Sequence, residues 1–161
     1  IRTLLRDGRI DVHGRYYDAT DCELLPRGPR PDGPPLMVGS EGPRMLRIAL
    51  PHVQGWNAWY AWFGNDPDRL GPLLAKIDAA CAEVGRDPST LEKSCAALVS
   101  LTGAKGRLAG DPTDRGARPI SGSAAELADD LRAFARAGIH HVQIVPDPNT
   151  LAAIEELAPV L

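Results

Sequence analysis

From residue 36 onward, short apolar runs alternate with stretches of helical periodicity, and this alternation restricts the fold more than any other feature. The first run is typical of a strand that is buried on both faces. A helical pattern follows each run, and strands that alternate with helices form right-handed βαβ units around a parallel sheet. The sequence therefore predicts an α/β fold with four strand–helix units in residues 36–161, with strands at 36–39, 53–59, 94–101 and 139–145.

The predicted helices have recognisable starts. Asp66 and Pro67 open the clearest helix, because aspartate caps the first backbone N–H groups and proline fits the first turn. Ser123 and Glu126 have the S-x-x-E spacing of a capping box, which predicts that the next helix starts there. A last short helix is predicted over residues 150–157.

Residues 1–35 lack this pattern and are predicted to be an extended, proline-rich excursion. The chain begins with Ile1, and residues 1–5 resemble the end of a helix, so we expect that an upstream part of the protein is missing. Extended structure is predicted for residues 9–25, in which Tyr16 and Tyr17 favour a strand.

Composition narrows the class of protein. A chain of 161 residues is one domain by length, and its formal net charge of −3 gives no reason to expect nucleic acid or an anionic membrane as a partner. No apolar run is long enough for a membrane-spanning helix. The three cysteines are odd in number and form no C-x-x-C pair, so we expect no disulfide framework, no zinc site and a cytoplasmic location.

The segment from Gly39 to Arg44 is the strongest candidate for a binding site. It lies where a predicted strand leads into a predicted helix, and free N–H groups at a helix start suit a phosphate. Ser40 can add a hydroxyl and Arg44 a charge, while the glycines allow close approach of the backbone. The alternative is a tight strand-to-helix turn that needs glycine only for its geometry.

Other candidate residues have weaker patterns. Trp56, with Asn57 beside it, lies at the end of a strand and either stacks on a flat ligand or packs in the core. His140 and His141 are adjacent on a strand and point to opposite faces, so they cannot bind one metal ion together; we expect one to pack against a helix and the other to face the interior of a barrel. In the long loop at residues 102–120, an arginine could bind a phosphate or carboxylate; the candidates are Arg107, Arg115 and Arg118.

Four motifs occur along the chain: H-G-R-Y-Y at 13–17, P-P-L-M-V-G-S-E-G-P-R-M-L-R-I-A at 34–49, Q-G-W-N at 54–57 and A-G-I-H-H-V-Q-I at 137–144. Together they resemble the C-terminal half of luciferase-like monooxygenases, the flavin- or F420-dependent oxidoreductases related to bacterial luciferase. Their order and spacing are more specific than any one of them, and the resemblance covers nearly the whole chain.

This resemblance implies a (β/α)8 TIM barrel of which the chain holds strands five to eight. It also implies FMN or coenzyme F420 as the cofactor and a small organic molecule as the substrate. The implied cofactor-binding residues are Gly39, Ser40, Glu41, Gly42, Arg44, Trp56 and Asn57. The sequence departs from the family at Gln54, where aspartate is frequent. No catalytic residue is carried over, because the family's catalytic side chains belong to the other half of the barrel.

A half-barrel leaves two strand edges unpaired, so we expect a homodimer or association with the missing N-terminal half. We also expect the fragment alone to be inactive. Two other functions remain open from the sequence. One is a non-catalytic half-barrel that binds a phosphorylated ligand or a partner subunit. The other is an unrelated small α/β enzyme with an open four-stranded sheet.

Overall fold

A computed structural model describes residues 1–106 and 116–160 of the chain. These residues form two compact units, here called the N-terminal unit (Ile1–Leu36) and the sheet unit (Met37–Leu161). Each is described separately below.

The N-terminal unit consists of helix α1 (Arg2–Asp7) and an antiparallel hairpin of strands β1 (Arg9–His13) and β2 (Asp18–Glu23). Helix α1 ends at Gly8, whose φ of 76° is a left-handed conformation that glycine adopts without strain. The prediction of a strand at Tyr16 and Tyr17 is wrong. The two residues lie in the hairpin turn, because Gly14 N donates a hydrogen bond to the Tyr17 carbonyl and closes it.

The sheet unit contains four parallel strands, each followed by a helix. The strands are β3 (Met37–Val38), β4 (Gly55–Ala58), β5 (Glu92–Ser100) and β6 (His141–Asp147). The helices are α2 (Pro43–Ala49), α3 (Leu70–Glu83), α4 (Ala124–Arg136) and α5 (Leu151–Leu157). The predicted α/β class with a parallel sheet is therefore confirmed.

The strands lie in the sheet in the order β3-β4-β5-β6, which is also their order along the chain. Doubly wound sheets reverse the order of their strands at a switch point, whereas the strands of a TIM barrel follow one another without reversal. The observed order has no reversal within the described residues.

The predicted helix starts are observed. Ser123 Oγ accepts a hydrogen bond from Glu126 N, and the Glu126 carboxylate accepts one from Ser123 N at 2.8 Å, so the capping box is complete. Asp66 accepts a hydrogen bond from Asp68 N at 3.0 Å and starts a 3-10 turn that leads directly into α3. Helices α4 and α5 then pack against the sheet in a cluster built around Val99, Leu101, Leu127, Ala153 and Leu157.

The first strand differs from its prediction. Its residue Met37 is 49% exposed, so the expectation that this strand is buried on both faces is wrong. Strand β3 has only two residues and lies at an edge of the described sheet, with a partner strand on one side only. An edge strand of that length lacks the neighbours that would cover both of its faces.

Candidate functional site

The segment Gly39–Arg44 connects β3 to α2 at the carboxyl end of the strand, which is the ligand-binding end in parallel α/β folds. Gly39 and Gly42 are exposed, and Ser40 is half-buried. The Ser40 hydroxyl oxygen accepts a hydrogen bond from Gly42 N at 3.3 Å, which holds the turn in shape. Among the described residues beyond its chain neighbours, a Cβ at Gly42 would have only the Ser40 hydroxyl within 4 Å, so the space in front of this glycine is open to them.

The start of α2 carries no cap. Gly42 occupies the N-cap position in an extended conformation with a φ of −75°, and it has no side chain that could accept a hydrogen bond from the first turn. Pro43 has no N–H group, so the first-turn donors are those of Arg44 and Met45, and no partner for either lies in residues 1–106 or 116–160. These donors, the positive end of the helix dipole and the exposed Arg44 side chain can together attract an anion.

Glu41 puts a negative charge beside this turn. Its carboxylate lies 3.8 Å from the Lys76 ammonium of α3, which offsets part of that charge. The two side chains are half-exposed, so water screens the pair and its energy is small. Because the carboxylate is directed toward Lys76, Glu41 can contribute to an anion site only through its backbone.

Trp56 supports the turn from within the protein. Its side chain is completely buried, and its indole N–H donates a hydrogen bond to the Ser40 carbonyl at 2.8 Å. The ring also packs near Trp62, with the ring centroids 6.5 Å apart. Complete burial agrees with the core-packing alternative for Trp56, whose observed role is to fix the position of Ser40.

Asn57 lies on the opposite face of β4 from Trp56 and is half-buried. Its neighbour in the parallel register is Ser94 of β5, whose hydroxyl lies 3.0 Å from Asn57 Oδ1 and 3.1 Å from the Trp56 carbonyl. Sequence reasoning did not find Ser94. The sequence places Ser94 at the start of the apolar run of β5, and a hydroxyl that is buried there needs a hydrogen-bond partner, but the sequence does not name that partner.

The histidines and cysteines do not form a reactive centre. His140 and His141 are both exposed, so the expectation that one of them packs against a helix is wrong; His140 Nδ1 accepts a hydrogen bond from Lys93 N. Among the described residues, no group of three or more His, Cys, Asp or Glu side chains is placed to hold a metal ion. Burial raises the pKa of the Cys81 thiol and raises that of Cys95 to about 12, so neither is a thiolate at neutral pH.

Of the three loop arginines, Arg107 and Arg115 lie outside the described residues. Arg118 is exposed and lines a cavity of about 550 Å³ between residues 64–69 and 116–120. In the described part of the chain, no helix is both long and apolar enough to cross a membrane.

Comparison with known proteins agrees with the resemblance found in the sequence. Residues 1–105 match the family described as luciferase-like monooxygenase. An F420-dependent hydroxymycolic acid dehydrogenase from Mycobacterium tuberculosis is 34% identical over 93 residues. That alignment covers 58% of this chain and 24% of the dehydrogenase.

Solved structures of luciferase-like TIM-barrel enzymes have the same fold. An F420-dependent secondary alcohol dehydrogenase in complex with an F420-acetone adduct aligns over 98% of this chain and 58% of its own, with a TM-score of 0.67 and 18% identity. A riboflavin lyase with modified FMN aligns over 94% of this chain and 47% of its own, with a TM-score of 0.67 and 14% identity. The chain thus spans about half the length of these enzymes. Because the family match extends over more than half of its residues, the chain belongs to the luciferase-like monooxygenase family.

Proposed function

We propose that this chain is part of a flavin- or F420-dependent oxidoreductase and that the Gly39–Gly42 turn, with Arg44, binds the cofactor phosphate. The observation that carries the proposal is the uncapped start of α2 beside two exposed glycines. Family membership supports it, as does the F420 or FMN in the names of the related proteins.

Each site residue has a distinct role in this proposal. Ser40 adds its hydroxyl and Glu41 its backbone to the phosphate site, and Trp56 holds the Ser40 carbonyl in place from the core. Asn57 presents its side-chain amide on the other face of the sheet, where Ser94 fixes it. The bound cofactor supplies the redox chemistry, accepting or donating a hydride or electrons. The chain's own residues bind it and hold its phosphate end in one position.

We further propose that β3 to β6 are strands five to eight of a (β/α)8 barrel. The unreversed strand order and the share of the solved enzymes that the chain covers support this. Strands β3 and β6 then pair with the remaining strands, supplied by the N-terminal half of the barrel or by another subunit such as a second copy. The substrate is a small organic molecule, and the three free thiols are consistent with a cytoplasmic location.

The phosphate site is tested by comparing ligands with and without a phosphate. We expect the chain to bind FMN more tightly than riboflavin, or F420 more tightly than its phosphate-free deazaflavin, in a fluorescence titration. Gly42→Asp places a carboxylate in front of the free N–H groups, so it should raise the dissociation constant of the phosphorylated ligand roughly tenfold or more. The same substitution should leave the constant of the phosphate-free ligand unchanged.

The matched control is Gly71→Asp, because Gly71 is an exposed glycine of α3 with open space around it. It adds the same charge and should change the dissociation constant of neither the phosphorylated nor the phosphate-free ligand. Equal losses for the two ligands with Gly42→Asp, or no preference for the phosphate in the unsubstituted chain, would refute the site. The same titrations identify the cofactor as FMN or F420, according to which of the two binds.

A further inference from the structure

A second candidate site is a polar cavity of the sheet unit whose lining does not include the Gly39–Arg44 turn. It has a volume of about 550 Å³ and lies between two segments, residues 64–69 and residues 116–120. The first segment follows β4, and the second is joined to the last part of β5 by a parallel bridge between Val99 and Ile120. The cavity is therefore at the carboxyl end of the strands, where parallel α/β proteins bind their ligands.

The two walls of the cavity are fixed to each other by one buried side chain. Asn65 is only 5% exposed and has a φ of 60°, in the left-handed region that asparagine tolerates. Its amide nitrogen donates to the Leu98 carbonyl at 2.9 Å and to the Arg118 carbonyl at 2.8 Å, and its Oδ1 accepts from Leu98 N. The cavity thus has a preformed framework attached to β5, which reduces the entropy lost when a ligand binds.

The lining of the cavity is positively charged. Its charged side chains are Arg69, Arg118 and Asp66, which gives two positive charges and one negative charge. Asp66 Oδ2 lies 3.4 Å from Arg69 Nε and so engages one edge of that guanidinium. A Cβ at Gly64 would lie 3.1 Å from Arg69 Nη1, so the glycine makes room for the guanidinium beside the backbone.

Arg118 supplies the second positive charge of the lining. No acceptor for its guanidinium lies in residues 1–106 or 116–160, although its backbone is held by Asn65 and by Gly64. An arginine guanidinium presents its N–H groups in a planar fork that matches the oxygens of a carboxylate or phosphate. The same wall contains Pro119 and Ile120, which can contact the organic part of a ligand.

We propose that this cavity binds an oxyanion, a carboxylate or a phosphate, carried by a small organic ligand, with Arg118 and Arg69 as the binding residues. The binding does not depend on the function proposed above. The identification of this ligand as the substrate of the oxidoreductase rests on the proposed function. The substrate is then a carboxylic acid or a phosphate ester.

The test is a titration of the isotope-labelled chain with sodium phosphate and, separately, with sodium acetate, followed by residue-resolved NMR at constant ionic strength with chloride as the reference salt. We expect saturable shifts at Gly64 and Arg69 with at least one of the two anions and none with chloride. The anion that gives the tighter constant identifies the ligand group. Signals of Gly39 and Gly42 report the cofactor site independently, so the failure of one site is distinguishable from the failure of the other.

Variants assign the binding to the two arginines. Arg118→Gln should weaken the anion affinity measured at Gly64 roughly tenfold or more, because a charge-assisted hydrogen bond is lost, and Arg69→Gln should weaken it similarly. The control is Arg132→Gln on α4, whose guanidinium already pairs with Asp129 at 2.8 Å; it should leave the affinity unchanged. Absence of saturable shifts in the unsubstituted chain, or full affinity in both Arg118→Gln and Arg69→Gln, would overturn the proposal.

Discussion

The interactions that stabilise the N-terminal unit differ from those that stabilise the sheet unit. Every buried hydrophobic side chain of the described residues belongs to the sheet unit. In the N-terminal unit, the long-range links are polar: Arg27 donates hydrogen bonds to the carbonyls of Arg6 and Asp7 at 2.6 and 2.9 Å, and Arg9 pairs with Asp21. Large apolar side chains of this unit, such as Tyr17 and Leu25, are exposed instead.

This difference shows where the stability of the chain lies. Burial of apolar surface is the dominant favourable contribution to folding, whereas exposed ion pairs contribute little. The N-terminal unit therefore depends on interactions that water weakens and should open at low free energy, while the sheet unit opens only on global unfolding. The three predictions below test this contrast, in order of decreasing effect.

The largest difference should be in the reactivity of the thiols. Cys22 is half-buried in β2 of the N-terminal unit, whereas Cys81 and Cys95 are completely buried in the sheet unit. A buried thiol reacts only after the structure around it opens, and burial also raises the pKa of Cys95 to about 12. We expect Cys22 to react with a disulfide reagent on the order of a thousandfold faster than the other two thiols in native buffer.

Mass spectrometry of the labelled chain identifies which thiol has reacted at each time. In urea above the unfolding midpoint, all three should react at similar rates. Comparable rates for Cys22 and Cys95 in native buffer would show that the two units open together and would remove the contrast.

The second prediction compares the truncation of one large apolar side chain to alanine in each unit. Phe134 of α4 is completely buried and packs edge-to-face against Phe63, with ring centroids 6.0 Å apart. Phe134→Ala should lower the free energy of unfolding by roughly 3–5 kcal/mol, because it removes apolar burial and leaves a cavity. Leu25→Ala, at a residue that is 69% exposed, should change it by less than about 0.5 kcal/mol.

Both values come from urea unfolding followed by tryptophan fluorescence, whose sources are all in the sheet unit at Trp56, Trp59 and Trp62. A loss of more than about 2 kcal/mol for Leu25→Ala would mean that the N-terminal unit contributes to the cooperative core after all.

The contrast also explains what the sequence could predict. The strand–helix alternation and the capping box of Ser123 and Glu126 are local patterns, and both are confirmed. The strand predicted at Tyr16 and Tyr17 is wrong, and so is the complete burial predicted for the strand at Met37, because these side chains are in fact exposed. Nothing in a local window shows whether a neighbouring element will cover a side chain.

The candidate site shows the same limit. The glycine-rich turn at Gly39–Gly42 could be located from the sequence, because a strand, two glycines and a proline at a helix start are contiguous. The contact of Ser94 with Asn57 joins residues that are far apart in the chain and depends on the register between β4 and β5. Likewise, the cavity beside Arg118 lies between two distant segments of the chain that Asn65 links. Such pairings require the tertiary structure.

The smallest effect concerns two exposed carboxylates, one in each unit. Hydrogen bonds from the backbone N–H and the hydroxyl of Ser123 lower the pKa of Glu126, and a hydrogen bond from Arg6 lowers the pKa of Asp7. A carboxylate with a lowered pKa stabilises the folded state above its unfolded pKa, and this contribution is lost as the pH falls through the folded pKa. Only Glu126 belongs to the sheet unit, which we expect to carry the cooperative unfolding transition.

We therefore expect Glu126→Gln to be slightly less stable than the unsubstituted chain in urea at pH 7, with the difference disappearing as the pH is lowered from about 5 to below the depressed pKa. Asp7→Asn should give the same unfolding curve as the unsubstituted chain at every pH, because tryptophan fluorescence reports the sheet unit and the N-terminal unit should open before it. A pH-dependent loss for Asp7→Asn equal to that for Glu126→Gln would mean that the carboxylates of both units are linked to one unfolding transition. The division between a polar unit and an apolar one would then describe their packing but not their stability.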